Sequence, residues 1–107
     1  MDKINGYVWQ DTIGTDAEEI WFKILVCMND DQKTLFDCRI ATDSMSTEEV
    51  EKLANQLCRG RYVELDGYMM FDCVDRGNMS IWFSVWDVSV GVNEMVNIYK
   101  SKETPPN

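Results

Sequence analysis

Residues 57–70 read LCRGRYVELDGYMM, and the fold turns on how this stretch is parsed. A helical pattern runs into it and stops at Arg59-Gly60. From Tyr62 the pattern changes to period 2: Val63 and Leu65 alternate with Tyr62, Glu64 and Asp66. Such alternation marks a strand with one buried and one solvated face. Gly67 then interrupts the strand before more apolar residues follow. A glycine inside a strand marks a bulge or a sharp bend, as at the corner of a closed sheet.

Upstream of this junction lies a capped helix. Ser46 is an N-cap residue, and Glu49 three positions on completes a capping box. Val50, Leu53, Ala54 and Leu57 fall at i, i+3, i+4 and i+7, one apolar stripe. Gly60 suits the C′ position that ends a helix. Before the helix come three strand patterns. Residues 4–10 alternate, with Ile4, Gly6 and Val8 on one face and Tyr7 and Trp9 on the other. The polar segment Asp11 to Glu19 reads as a loop. Ile20 to Met28 is a second strand, whose Lys23 marks its solvent face. Asn29 to Lys33 has the chemistry of a turn. Leu35 to Ala41 is a third strand, with Phe36, Cys38 and Ile40 inward and Asp37 and Arg39 outward.

Downstream, the fourth strand continues from Tyr62 to about Val74, and residues 75–78 (DRGN) form a turn. A fifth strand spans about Ser80 to Val90. Its two sets are Ile81, Phe83, Val85 and Trp82, Ser84, Trp86, Val88. Gly91 ends it. Residues 94–100 suit a short helix or a strand extension equally. Residues 1–100 are expected to form one domain and residues 101–107 a flexible tail.

Strand, strand, strand, helix, strand, strand is the element order of the OB-fold. That fold is a five-stranded, all-β barrel with one helix between strands 3 and 4. The resemblance narrows further at particular residues. Arg59, Gly60, Val63, Leu65 and Gly67 resemble the segment of bacterial single-stranded-DNA-binding proteins in which a helix ends in a basic-Gly pair before a Val-x-Leu-x-Gly strand. The run VWDVSV, Val85 to Val90, is similar to the closing strand of that family, and INGYV, Ile4 to Val8, to its first. The resemblance implies an SSB-like OB-fold that binds single-stranded DNA.

Composition bounds the function. The chain has 107 residues, 45% hydrophobic, enough for one core. Ten basic residues against nineteen acidic ones leave a net charge of −9. Nucleic-acid affinity rests largely on Lys and Arg displacing phosphate counterions, so any such affinity needs its cations clustered. The chain has no histidine, the commonest general base and metal ligand. The cysteines Cys27, Cys38, Cys58 and Cys73 form no CxxC pair and read as free, mostly buried thiols. No metal, cofactor or catalytic group is expected. No apolar run nears the ~20 residues of a membrane span. The first residues carry no apolar leader pattern, so a cytoplasmic protein without membrane contact is expected.

An OB-fold that binds single strands uses the outer face of strands 2 and 3, with bases stacked on aromatics and cations along the backbone. The candidates are Tyr7, Trp9, Trp21, Lys23 and Arg39, with Lys33 and Arg76 at turns. Against this stands the plain reading of an aromatic in an apolar strand: Trp21 as core or subunit contact, Trp82 and Trp86 as core. Arg59 and Arg61 fit helix capping as well as phosphate binding. Asp11, Asp16, Glu18 and Glu19 read as a solvated loop or as an acidic patch. Three functions follow. The first is a DNA-binding module of the replication, recombination or mobile-element kind. The second is an acidic protein-interaction module or inhibitor with a basic protein partner. The third is a homo-oligomer built on Trp21 and Leu25.

Overall fold

The structure, a computed structural model, describes residues 1–15 and 18–102, with the backbone alone at 10–12, 74 and 75. The strands are β1 (Asp2–Thr15), β2 (Glu19–Cys27), β3 (Lys33–Ala41), β4 (Tyr62–Asp75), β5 (Asn78–Val90) and β6 (Val96–Lys100). One helix, α1 (Thr47–Gln56), lies between β3 and β4.

Five strands close on themselves. β1 pairs antiparallel with β2 and with β4, β2 with β3, and β4 with β5. A short parallel pairing of β3 with β5, Cys38 with Phe83 and Arg39 with Ser84, completes the ring. β6 lies outside it, antiparallel on β5. This settles residues 96–100 as strand. β1 serves two neighbours by bending: Asp2 to Tyr7 face β4, and Tyr7 to Thr15 face β2.

The inner face of the ring is the core. Val8, Ile20, Phe22, Ile24, Val26, Cys38, Ile40, Val63, Leu65, Phe83, Val85, Val88 and Val90 are all buried. Apart from the step from Val85 to Val88 on β5, their spacing of two along each strand is the alternation legible in the sequence. α1 adds Leu53 and Leu57 to the same cluster, with Val50 and Ala54 partly buried against it. Each fully buried leucine is worth roughly 1.5–3 kcal/mol over an exposed one. The capping box is present: the Ser46 hydroxyl accepts from the Glu49 N–H at 3.2 Å, and the Ser46 N–H donates to Glu49 Oε1 at 3.3 Å.

Gly67 is the point at which β4 bends. Its Cα faces inward so closely that an added Cβ would overlap the Ser84 carbonyl and sit 3.0 Å from the Phe83 ring. The ladder shifts register here, from Asp66–Asp87 to Gly67–Val85, leaving Trp86 as an extra residue on β5. The bulged carbonyl of Trp86 accepts a 2.7 Å bond from the Ser101 N–H, so the chain is tied down through that residue. Glu103–Asn107, most of the expected tail, lie outside the described residues, as does Asp16.

Five expectations are corrected. β1 does not end at residue 10; it runs to Thr15, with an irregularity between Trp9 and Gly14 that absorbs the polar residues read as loop. Val88 does not share a face with Trp82, because the bulge at Trp86 reverses the alternation and turns Val88 inward. Trp82 and Trp86 are not core: both are half-buried on the outer side. Gly60 is not the helix C′ residue. It occupies a turn, with φ 81°, closed by the Arg61 N–H on the Cys58 carbonyl at 3.1 Å. Only Cys38 is a buried thiol; Cys27, Cys58 and Cys73 are free and exposed, because they fall on outer positions or beyond the ring.

Candidate nucleic-acid interface

The outer face of β1, β2 and β3 collects most of the candidate residues, and register is the reason. Tyr7 stands opposite Leu25, which stands opposite Leu35. The next row is Trp9, Lys23 and Asp37. The row beyond is Gly14, Trp21 and Arg39, continued on β5 by Ser84. Lys33 shares the face two positions before Leu35, opposite Cys27. Tyr7 is 46%, Trp9 37% and Trp21 41% exposed, so the three rings meet solvent rather than the core.

Neighbouring elements fix these rings. Tyr62 of β4, opposite Tyr7, packs edge-on against it with centroids 5.3 Å apart. The turn after α1 is stitched to β1: Gly60 N–H donates to the Val8 carbonyl at 2.9 Å, and Val8 N–H to the Arg61 carbonyl at 3.0 Å. That stitching carries the Arg59 guanidinium to 5.7 Å from the centre of the Trp9 ring. Trp21 lies across Gly14, where an added Cβ would overlap its six-membered ring. The absence of a side chain at position 14 is what lets the indole lie there.

Arg39 is held twice. Its Nη2 donates to Asp37 Oδ2 at 3.4 Å, and its guanidinium lies 4.5 Å from the Trp82 ring centre, within cation–π range. Asp37 also faces Lys23 across the β2–β3 ladder. Glu19, Trp21, Asp37 and Arg39 together line an open cleft of about 280 Å³.

Tyr7, Trp9, Trp21, Lys23 and Arg39 therefore form one cluster, with Lys33 at its end. Arg76 stands apart in the turn at the tip of the β4–β5 hairpin, beyond Asn78, which is itself four residues along β5 from Trp82, roughly 13 Å at strand rise. Three members were not singled out by the sequence: Tyr62, Trp82 and, as a ring partner, Arg59. Signals for the first two were present in the sequence. Ser84 between two tryptophans marks their shared face as the solvated one, and inward Val63 and Leu65 turn Tyr62 outward.

Among the described residues, no group of three His, Cys, Asp or Glu side chains is gathered for a metal, and no helix is long and apolar enough to cross a membrane. No protein-family model matches the chain, and no curated protein sequence matches it.

Proposed function

We propose that the chain is an OB-fold, its closed ring a five-stranded barrel, and that it is a non-catalytic module binding single-stranded DNA in replication, recombination or mobile-element maintenance. The observation that carries the reading is the solvent-facing cluster of Tyr7, Trp9 and Trp21 around Lys23 and Arg39. Exposed apolar rings gathered on one sheet face mark an interaction surface. Their flat faces suit bases, and each base stacked on an aromatic is worth roughly 1–3 kcal/mol. The parallel closure of β3 on β5 and the helix between β3 and β4 support the fold assignment.

Charge sets the regime. Lys23, Lys33, Arg39 and Arg59 are the cations at this face, in a chain of net charge −9. If three or four of them meet phosphates, log K falls against log salt with a slope of about −2 to −3. Raising salt from about 50 to about 200 mM then weakens binding roughly 20- to 50-fold. The test is quenching of tryptophan fluorescence by a mixed-sequence oligonucleotide at both salts. Quenching with that slope supports the reading; unchanged fluorescence at low salt defeats it.

The second reading, an acidic module for a basic protein partner, is favoured by an adjoining surface that shares Glu19 with the Trp21–Arg39 cleft. Glu18, Glu19 and Asp43 line one open cleft with Ala41. Charge reversal at Glu18 and Asp43 separates the two. It abolishes capture of a basic partner on this reading and leaves oligonucleotide quenching in place on the first.

A further inference from the structure

The cleft between Trp21 and Arg39 carries more than a stacking platform. Its lining combines one exposed indole, one guanidinium and two carboxylates, Glu19 and Asp37. Carboxylates are a poor choice for a surface that only tracks phosphates, because they repel them. Asp37 nevertheless sits within the face, opposite Lys23 and bonded to Arg39. Its side chain remains 34% exposed, and that of Arg39 32%. An ionised carboxylate offers about four acceptor positions, and the Arg39 contact uses one of them. A guanidinium offers five donors, so Arg39 also keeps donors beyond the one that meets Asp37.

The cleft therefore presents an acceptor group and a donor group side by side, next to an aromatic face. We infer that it is a base-selective subsite for guanine, with the base on Trp21, its N1–H and N2 amino group donating to Asp37, and O6 accepting from Arg39. Guanine carries two adjacent donors and then an acceptor on its Watson–Crick edge. Thymine carries acceptor, donor, acceptor: its N3–H and O4 can replace guanine N1–H and O6, but its O2 carbonyl is set against the carboxylate where guanine presents its N2 amino group. Single-stranded bases are read on this edge because it is unpaired. A well-formed bidentate pair discriminates by about 1–3 kcal/mol, which is roughly fivefold to more than a hundredfold in affinity; an open cleft belongs at the lower end.

This subsite rests on the DNA-binding reading above, and the experiment separates the two. Labelled dT15, the same strand with one central guanine, and the same strand with hypoxanthine in that position are titrated with the intact protein by fluorescence anisotropy. The expected result is at least fivefold tighter binding of the guanine strand than of dT15. Hypoxanthine, which lacks the N2 amino group, loses most of that gain. In Asp37→Asn the guanine-to-thymine ratio falls to near one. A ratio within one protein is insensitive to a general loss of folding, and Trp21→Phe, which keeps a ring, retains a reduced preference. Equal binding of guanine and thymine strands overturns the subsite and leaves the DNA-binding reading standing, as does a guanine preference that survives Asp37→Asn. Binding of none of the strands overturns both; capture of an arginine-rich peptide instead, lost in Asp37→Asn, assigns the cleft to a basic protein.

Discussion

Gly67→Ala tests the closure of the ring at its tightest point. The new Cβ would overlap the Ser84 carbonyl and approach the Phe83 ring at 3.0 Å. The first obstacle is backbone, and it is held from both sides: Ser84 pairs with Tyr68 on β4 and with Arg39 on β3. It cannot retreat without breaking the only parallel pairing described in the sheet. Overpacking a well-filled core costs typically 1–3 kcal/mol, and a clash with backbone belongs at about 3 kcal/mol. Against a total stability of about 5–15 kcal/mol for a small domain, that is a large share, equivalent to a fall in Tm of roughly 12 °C or more. Gly77→Ala is the control. It has open space around it and costs only the left-handed backbone at φ 79°, about 1–2 kcal/mol. The assay is urea unfolding followed by tryptophan fluorescence, compared at equal m-values. A Gly67→Ala protein within about 0.5 kcal/mol of the parent, or more stable than Gly77→Ala, would refute the placement of the bend.

Further outcomes follow from other parts of the chain. Burial, reinforced by the nearby Asp37 charge, pushes the Cys38 thiol far above its ordinary value; an aromatic disulfide reagent should label Cys27, Cys58 and Cys73 rapidly and Cys38 only on unfolding. Ser46→Ala should cost about 1 kcal/mol by removing the N-cap, read by urea unfolding. The Ser46 backbone N–H, then its hydroxyl, then the Lys102 charge hold the Glu49 carboxyl below its usual range. A lowered folded pKa means that this contribution is present above about pH 4.5 and is lost as pH falls through the folded value. The advantage of the parent over Glu49→Gln should therefore shrink as pH falls below about 4.5. Gly14→Ala should displace the Trp21 ring, changing its emission and weakening oligonucleotide binding by more than it lowers stability, since the obstacle is a side chain that can move.

The core was legible because it obeys two simple periods. Val63 and Leu65, Phe22 and Ile24, Leu53 and Leu57 are buried where alternation or helical spacing put them. The capping box at Ser46 was legible because it is local chemistry. What escaped depends on partners distant in the chain. Residues 11–15 look like a loop by composition, yet they are held as strand because Gly14 and Thr15 find Trp21 and Ile20 on β2. The inward turn of Val88 depends on one bulged residue, Trp86, whose carbonyl is satisfied by Ser101. Period-2 reasoning has no means of placing such an insertion. Of the candidate site, Tyr7, Trp9, Trp21, Lys23 and Arg39 come together because their strands pair in that register. Tyr62 and Arg59 join through β1, which pairs with β4 and is stitched to the turn after α1.

Chemical-shift mapping locates any DNA-binding face residue by residue. A single-stranded oligonucleotide of mixed sequence is titrated into isotopically labelled protein at low salt, and backbone amide and indole N–H signals are followed. The largest shifts are expected at Tyr7, Trp9, Trp21, Lys23, Arg39, Arg59 and Tyr62, with the Trp9 and Trp21 indole signals moving first. Shifts confined to the far side of the sheet, around Asp66, Asp87 and β6, or no shifts at all, would contradict it.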